Sequence, residues 1–178
     1  DIFPVHAAPI KNGAVIADDN GIILDVLHSA ENLQDVELHE GFICPGFVNT
    51  HCHLELSHLK GKINEGNGLV SFIKELMSQR TANDSVIRQA IVDAENEMIN
   101  NGIVAVGDIS NGPDTFEQKL KGNIYYHTFI ELYGFLPEQA RDAFQKGLDL
   151  SQHLKSARIK NQNYSIVPHS PYAVSVDL

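Results

Sequence analysis

The 178-residue chain is 43% hydrophobic and 20% charged, which is the balance of an ordinary globular protein with one ample core or two small ones. Its 13 basic and 23 acidic residues give a formal net charge of −10, which repels phosphate backbones and anionic membrane surfaces and leaves a small neutral or cationic molecule as the expected ligand. Two cysteines without CxxC spacing argue against a disulfide framework and suit a reducing cytoplasm; no apolar run reaches the roughly 18 residues of a membrane helix.

The opening predicts short strands and turns. Ala14 to Ala17 and Ile22 to Leu27 read as a strand pair, with Asp19-Asn20-Gly21 turning between them. Gly41, Pro45 and Gly46 punctuate a β-rich stretch that runs to about Thr50. The period then changes. Gly68 to Arg80 sets Leu69, Phe72, Ile73 and Leu76 on one helical face, and Asn83 to Asn101 repeats the spacing with Val86, Ala90, Ala94 and Met98, ended by Gly102. "IVAVGDIS" reads as a strand buried on both faces. A short helix from Pro113 to Lys121, a strand in "NIYYHTFIELYGF", a helix from Pro137 to about Ser156 and a strand in "YSIVPHSPYAVS" complete the order. Counted from Phe47, four strands alternate with helices, the rhythm of a parallel sheet with helical crossovers. Four such units make half of an eight-stranded barrel, whose full length is about 250 residues. An open Rossmann-like sheet is the alternative, but no GxGxxG follows the first strand.

Chemistry concentrates in "CPGFVNTHCHLELSHLKG". Alternation along a strand puts His51 and His53 on one face and Cys52 on the other, so two imidazoles at a strand's C-terminal end can reach one metal ion. Alone, the spacing is weak, because histidines also end strands for no chemical reason. Its place at the end of the first barrel-like strand, on the rim where barrel enzymes build their sites, favours the metal. If the strand runs two residues further, Glu55 shares that face and can accept a hydrogen bond from a substrate amine; a solvated loop carboxylate is the competing reading. Glu131, set among apolar neighbours in "FIELYGF", has the same two readings. Asp108 reads as the cap of the helix near Pro113 or a partner of the Ser110-Asn111-Gly112 loop. His58 could line a pocket; His6, His28, His39, His127 and His153 carry no motif; Cys52 is expected to pack.

"GFICPGFVNTHCHLE" resembles the first-strand signature of the amidohydrolase superfamily, an apolar Pro-Gly run leading to His-x-His. "NGIVAVGDIS" is similar to that family's second strand, "GLVSFIKEL" to its first helix, and "VPHSPYAVS" to the fourth-strand segment of its cytosine-deaminase-like, nucleoside-deaminase and chlorohydrolase branch. The resemblance implies an α/β fold: the N-terminal half of a TIM-like (β/α)8 barrel over 45–178, truncated after its fourth unit, preceded over 1–44 by part of a small β-sandwich. It also implies that His51 and His53 bind a divalent metal, zinc or iron, and that His169 in "PHSPY" faces the substrate; without the resemblance His169 reads as a histidine satisfied at a Pro-fixed turn. The remaining ligands and the proton-shuttling glutamate belong to later strands of the family, so the catalytic residues are expected outside this sequence, and two ligands alone hold metal weakly.

The implied activity is hydrolytic deamination of an aminated heterocycle (a nucleobase, nucleoside or purine derivative) by a metal-bound hydroxide. Triazine chlorohydrolysis and cyclic-amide hydrolysis are the alternatives within the family; a catalytically incomplete fragment or binding module is the alternative outside it. The expected partners are a small heterocyclic substrate and either a second copy of the chain or the missing half, with no nucleic acid polymer and no membrane.

Overall fold

A computed structural model describes residues 1–157 and 162–178. The described residues divide into two compact units, Asp1–Gly46 and Phe47–Leu178. In the first, β1 (Ala14–Ala17) pairs antiparallel with β2 (Ile23–Leu27). The turn between them is built by Asp18, whose carboxylate accepts the backbone N–H of Asn20 at 2.9 Å and of Ile22 at 2.8 Å, while Gly21 takes the left-handed φ of +79° that the reversal needs. Those two bonds favour the charged form and hold the Asp18 carboxyl below its ordinary value, with the Ile22 bond the larger influence. The β-rich expectation holds only in part beyond β2. Ile43 makes an isolated bridge to Ile2, whereas Leu38 and Phe42 stay exposed, and no regular strand forms again before Phe47.

The second unit is a four-stranded parallel sheet of β3 (Phe47–Cys52), β4 (Ile103–Ser110), β5 (Tyr125–Leu132) and β6 (Gln162–Pro168), paired in that order. The strands are joined through α1 (Gly68–Gln79) and α2 (Asp84–Asn100), then the short α3 (Phe116–Lys119), then α4 (Ala140–Ala157). An order that never reverses has no topological switch point, which separates this sheet from a doubly wound one and matches the winding of a barrel.

Side-chain alternation gives the sheet two faces. Val106 of β4 and Tyr126 of β5 are buried with Ile91 of α2 and with Leu54, and Cys52 packs against this cluster; Ile130 of β5 is buried with Phe116 of α3 and Leu154 of α4. These residues mark the helix-covered face. His51 and His53, on either side of Cys52, belong to the opposite one. β3 and β4 slip out of register between Asn49 and Cys52, just where Gly107 of β4 lies close under β3: a Cβ at Gly107 would sit 2.7 Å from the Thr50 carbonyl oxygen.

The strand reading of Ile103–Ser110 coincides with β4, and α2 begins one residue after its extended N-cap, Asn83. The helix expected from Pro113 shrinks to the single turn of α3, entered by the Phe116 N–H bonding the Pro113 carbonyl and left at Gly122 with φ +70°. α1 forms as its spacing predicts but buries none of its residues; Leu69, Phe72 and Ile73 remain exposed. No helix among the described residues is long and apolar enough to cross a membrane.

Candidate metal and substrate site

β3 ends at Cys52, and the chain turns at once into a 3₁₀ helix, Leu54–Leu59. His53 stands at the turn with φ −119° and ψ 72°. The imidazoles of His51 and His53 lie with centroids 5.1 Å apart and planes at 73°. His51 is exposed; His53 is half-buried, and its Nδ1 is buried without a hydrogen-bond partner among the described residues. Burial pulls the His53 pKa below the ordinary imidazole value; Glu131 opposes that, while His51 and His169 reinforce it. Loss of the proton is what a metal ligand requires. The pair therefore fits two positions of a metal site. Among the described residues no group of three or more His, Cys, Asp and Glu side chains could hold an ion, so the third position that a zinc site takes is not supplied here.

The other strand ends carry a continuous hydrogen-bonded chain. The Arg80 guanidinium, just past α1, donates to Glu55 Oε1 at 3.0 Å and to Asn111 Oδ1 at 3.1 Å. The Asn111 backbone N–H donates to Glu55 Oε2 at 2.9 Å, and its side-chain NH2 donates to Glu131 Oε2 at 2.8 Å. Glu131 Oε1 then accepts from His169 Nδ1. His169 follows β6 and bonds through its backbone N–H to the Leu132 carbonyl, which places it at the C-terminal end of the strands, the end that carries His51 and His53. Asn111 and Glu131 also border a cavity together with Tyr133 and Phe135.

Glu55 departs from the reason given for it. The strand does not persist, so Glu55 sits on the 3₁₀ turn, 4% exposed, with both carboxylate oxygens bonded inside the protein. Burial pushes its pKa up to about 7 against the opposing pull of the Asn111 bond and of Arg80. Glu131 is likewise engaged at both oxygens, one to Asn111 and one to His169. His58 does not face an open pocket: it is buried, its Nε2 donates to the Arg80 carbonyl at 3.0 Å, and it thereby steadies the residue that braces Glu55.

Asp108 does not cap the helix near Pro113; it takes the other expected partner, accepting the Ser110 hydroxyl at Oδ2 at 3.2 Å, and it also caps at a place not expected. Its Oδ1 accepts the Leu54 N–H at 2.8 Å, closing the turn that follows His53. Its Oδ2 pairs with Lys119 Nζ at 2.6 Å, and both side chains are fully buried. Lys119 also donates to Ser110 Oγ at 3.2 Å and Thr128 Oγ1 at 3.0 Å, so all three of its donors are used. Cys52 packs as expected, and burial, then the Asp108 charge, push its thiol up to about 12. Sequence reading missed Arg80, Asn111 and Lys119. Arg80 had a faint signal as a cation closing an apolar helix; Lys119 had none, since nothing in "FEQKLKG" separates a buried lysine from a solvated one.

No protein-family model matches the chain. It is 27% identical over 177 residues to the 5-methylthioadenosine/S-adenosylhomocysteine deaminase of Natronomonas pharaonis, covering 95% of this chain and 40% of that protein. Among solved structures, Helicobacter pylori aminofutalosine deaminase in complex with methylthio-coformycin superposes with a TM-score of 0.73 at 21% identity, over 94% of this chain and 41% of the other. This chain is similar to part of an amidohydrolase-superfamily deaminase. A second deaminase structure, the adenosine deaminase of Xanthomonas campestris with bound zinc, agrees in fold with a TM-score of 0.70 at 16% identity, over 98% of this chain and 42% of its own length. At these identities the structural likenesses carry the fold alone: a mixed α/β chain with a parallel sheet, similar to part of the barrel of those enzymes. The chain spans about two fifths of the length of each of these three proteins.

Proposed function

We propose that this chain forms part of a metal-dependent hydrolase that deaminates an aminated heterocycle, an adenine nucleoside or a related purine derivative. The observation that carries the reading is the His51–His53 pair, two adjacent imidazoles at the C-terminal end of the sheet, one with a buried ring nitrogen that no group among the described residues satisfies. The deaminase relative supports the reaction class, and the zinc-bound structural neighbour supports a divalent ion. A divalent ion held by such a pair lowers the pKa of bound water and supplies a nucleophile at neutral pH. His51 and His53 would provide two of its ligands. His169, beyond β6 on the same rim, would contact the heterocycle, and Glu131 would border the pocket beside it. Glu55, bound to Arg80 and Asn111, would brace that border.

The test is an assay of the whole protein with zinc or iron, scored for ammonia, for chloride and for ring opening over a panel of adenine nucleosides, chlorotriazines and cyclic amides. Ammonia from the nucleosides, abolished by a chelator and restored by metal, is the expected result. Chloride or ring-opened product without ammonia would move the protein to another leaving group, and no turnover by the metal-loaded whole protein would leave a binding module.

A further inference from the structure

The bonds around Asn111 leave it one orientation. Arg80 can only donate, so the atom facing it must be Oδ1, and this turns the Asn111 NH2 group toward Glu131. Glu131 as a carboxylate can only accept. Held by Asn111 at Oε2, it presents Oε1 to His169, and the ring nitrogen that meets it must carry a proton. The chain of fixed roles runs from Arg80 through Asn111 and Glu131 to the imidazole, and at every link the alternative arrangement sets two donors or two acceptors face to face. One end is anchored firmly: Glu55 is buried and ties the Asn111 backbone as well as Arg80. The other end is open, with the His169 side chain 38% exposed against 9% for Glu131.

We infer that Glu131 and Asn111 are positioning residues that hold a proton on His169 Nδ1, so that whenever the ring is neutral Nε2 is a hydrogen-bond acceptor for an N–H or O–H group of the substrate. The contact with substrate rests on the deaminase reading; the fixed tautomer does not. The assignment also moves Glu131 from touching substrate to acting through His169. It says what the pocket selects at this point: a ligand group that donates, such as a ring or exocyclic N–H or a sugar hydroxyl, and not one that only accepts.

The experiment is nitrogen NMR of the His169 ring in the whole protein, in the pH range where the ring is neutral, with Glu131→Gln and Asn111→Asp as near-isosteric variants. Wild type is expected to carry its proton on Nδ1. In Glu131→Gln, Asn111 still donates to the amide oxygen, so the amide NH2 faces Nδ1 and the ring is expected to switch its proton to Nε2. In Asn111→Asp two carboxylates oppose each other, and the Nδ1–H preference should weaken. KM for a donor-bearing substrate should rise roughly tenfold in Glu131→Gln, the loss of about one hydrogen bond, while bound metal is unchanged. A wild-type ring protonated on Nε2, or the same tautomer in wild type and Glu131→Gln, overturns the inference. A tautomer that switches in a protein releasing no ammonia from any heterocyclic amine upholds the positioning and removes the deaminase reading.

Discussion

The two faces of the four-stranded sheet treat polar side chains in opposite ways. On the helix-covered face, Asp108, Lys119, Ser110 and Thr128 are fully or almost fully buried, and their charges and donors are matched to one another. On the other face, at the strand ends, His51 is exposed, His53 keeps an Nδ1 unpartnered among the described residues, and His169 has one ring nitrogen bonded by Glu131 while its side chain is partly exposed. The closed set comes from the two inner strands, β4 and β5, and from α3; the open set comes from the ends of the outer strands, β3 and β6. Closed polar groups hold the strands and turn in place; open ones are available to a ligand. These two sets differ in how completely their polar groups are hydrogen-bonded.

The strongest way to break this comparison is at the closed face. Lys119→Met should cost about 3–5 kcal/mol of stability in urea unfolding, because Asp108 is left buried and unpaired. Adding Asp108→Asn, which keeps the acceptor for the Leu54 N–H, should recover a large part of that loss. A cost below about 1 kcal/mol for the single change would mean that the pair is not closed as described.

Glu55, buried on the 3₁₀ turn, sharpens the contrast through pH. Its folded pKa, about 7, lies above the ordinary 4.5, so between those values the folded state holds more proton than the unfolded one. Stability should therefore be greatest below the lower value and fall as pH rises through the upper one, by on the order of 3 kcal/mol in total. Glu55→Gln should flatten that part of the profile in thermal or urea unfolding. A variant that keeps the full pH slope would assign it to other groups.

The smallest effect on stability is expected at the open face. His51→Ala removes an exposed ring and should change unfolding by no more than about 0.5 kcal/mol, while bound zinc in the whole protein falls steeply. A large loss of stability without loss of metal would make His51 structural.

How much of this was legible follows the same division. The limits of β4 and the spacing of α1 and α2 are periodic, and periodicity is written in the sequence. His51 and His53 were legible because a spacing of two on a strand fixes a shared face. Glu55 was misplaced because the strand stops at Cys52, where Asp108 captures the Leu54 N–H, and a cap supplied from a different strand leaves no local trace. Arg80 and Asn111 were missed for the same reason: their roles come from partners 20 to 56 positions away. α1 shows the reverse limit, since its apolar spacing announces a helix but not what covers it.

Gly107 turns the register slip between β3 and β4 into a constraint on which variants can arise. Its missing Cβ is the space into which the Thr50 carbonyl fits, and the obstacle a side chain would meet is backbone, which cannot rotate aside. Even alanine there would lever Thr50 outward, and His51 is the next residue along. A neutral-looking methyl on the second strand would thus be felt as a displaced imidazole on the first. Mutational scanning should record position 107 as intolerant alongside the histidines, although it carries no chemistry of its own.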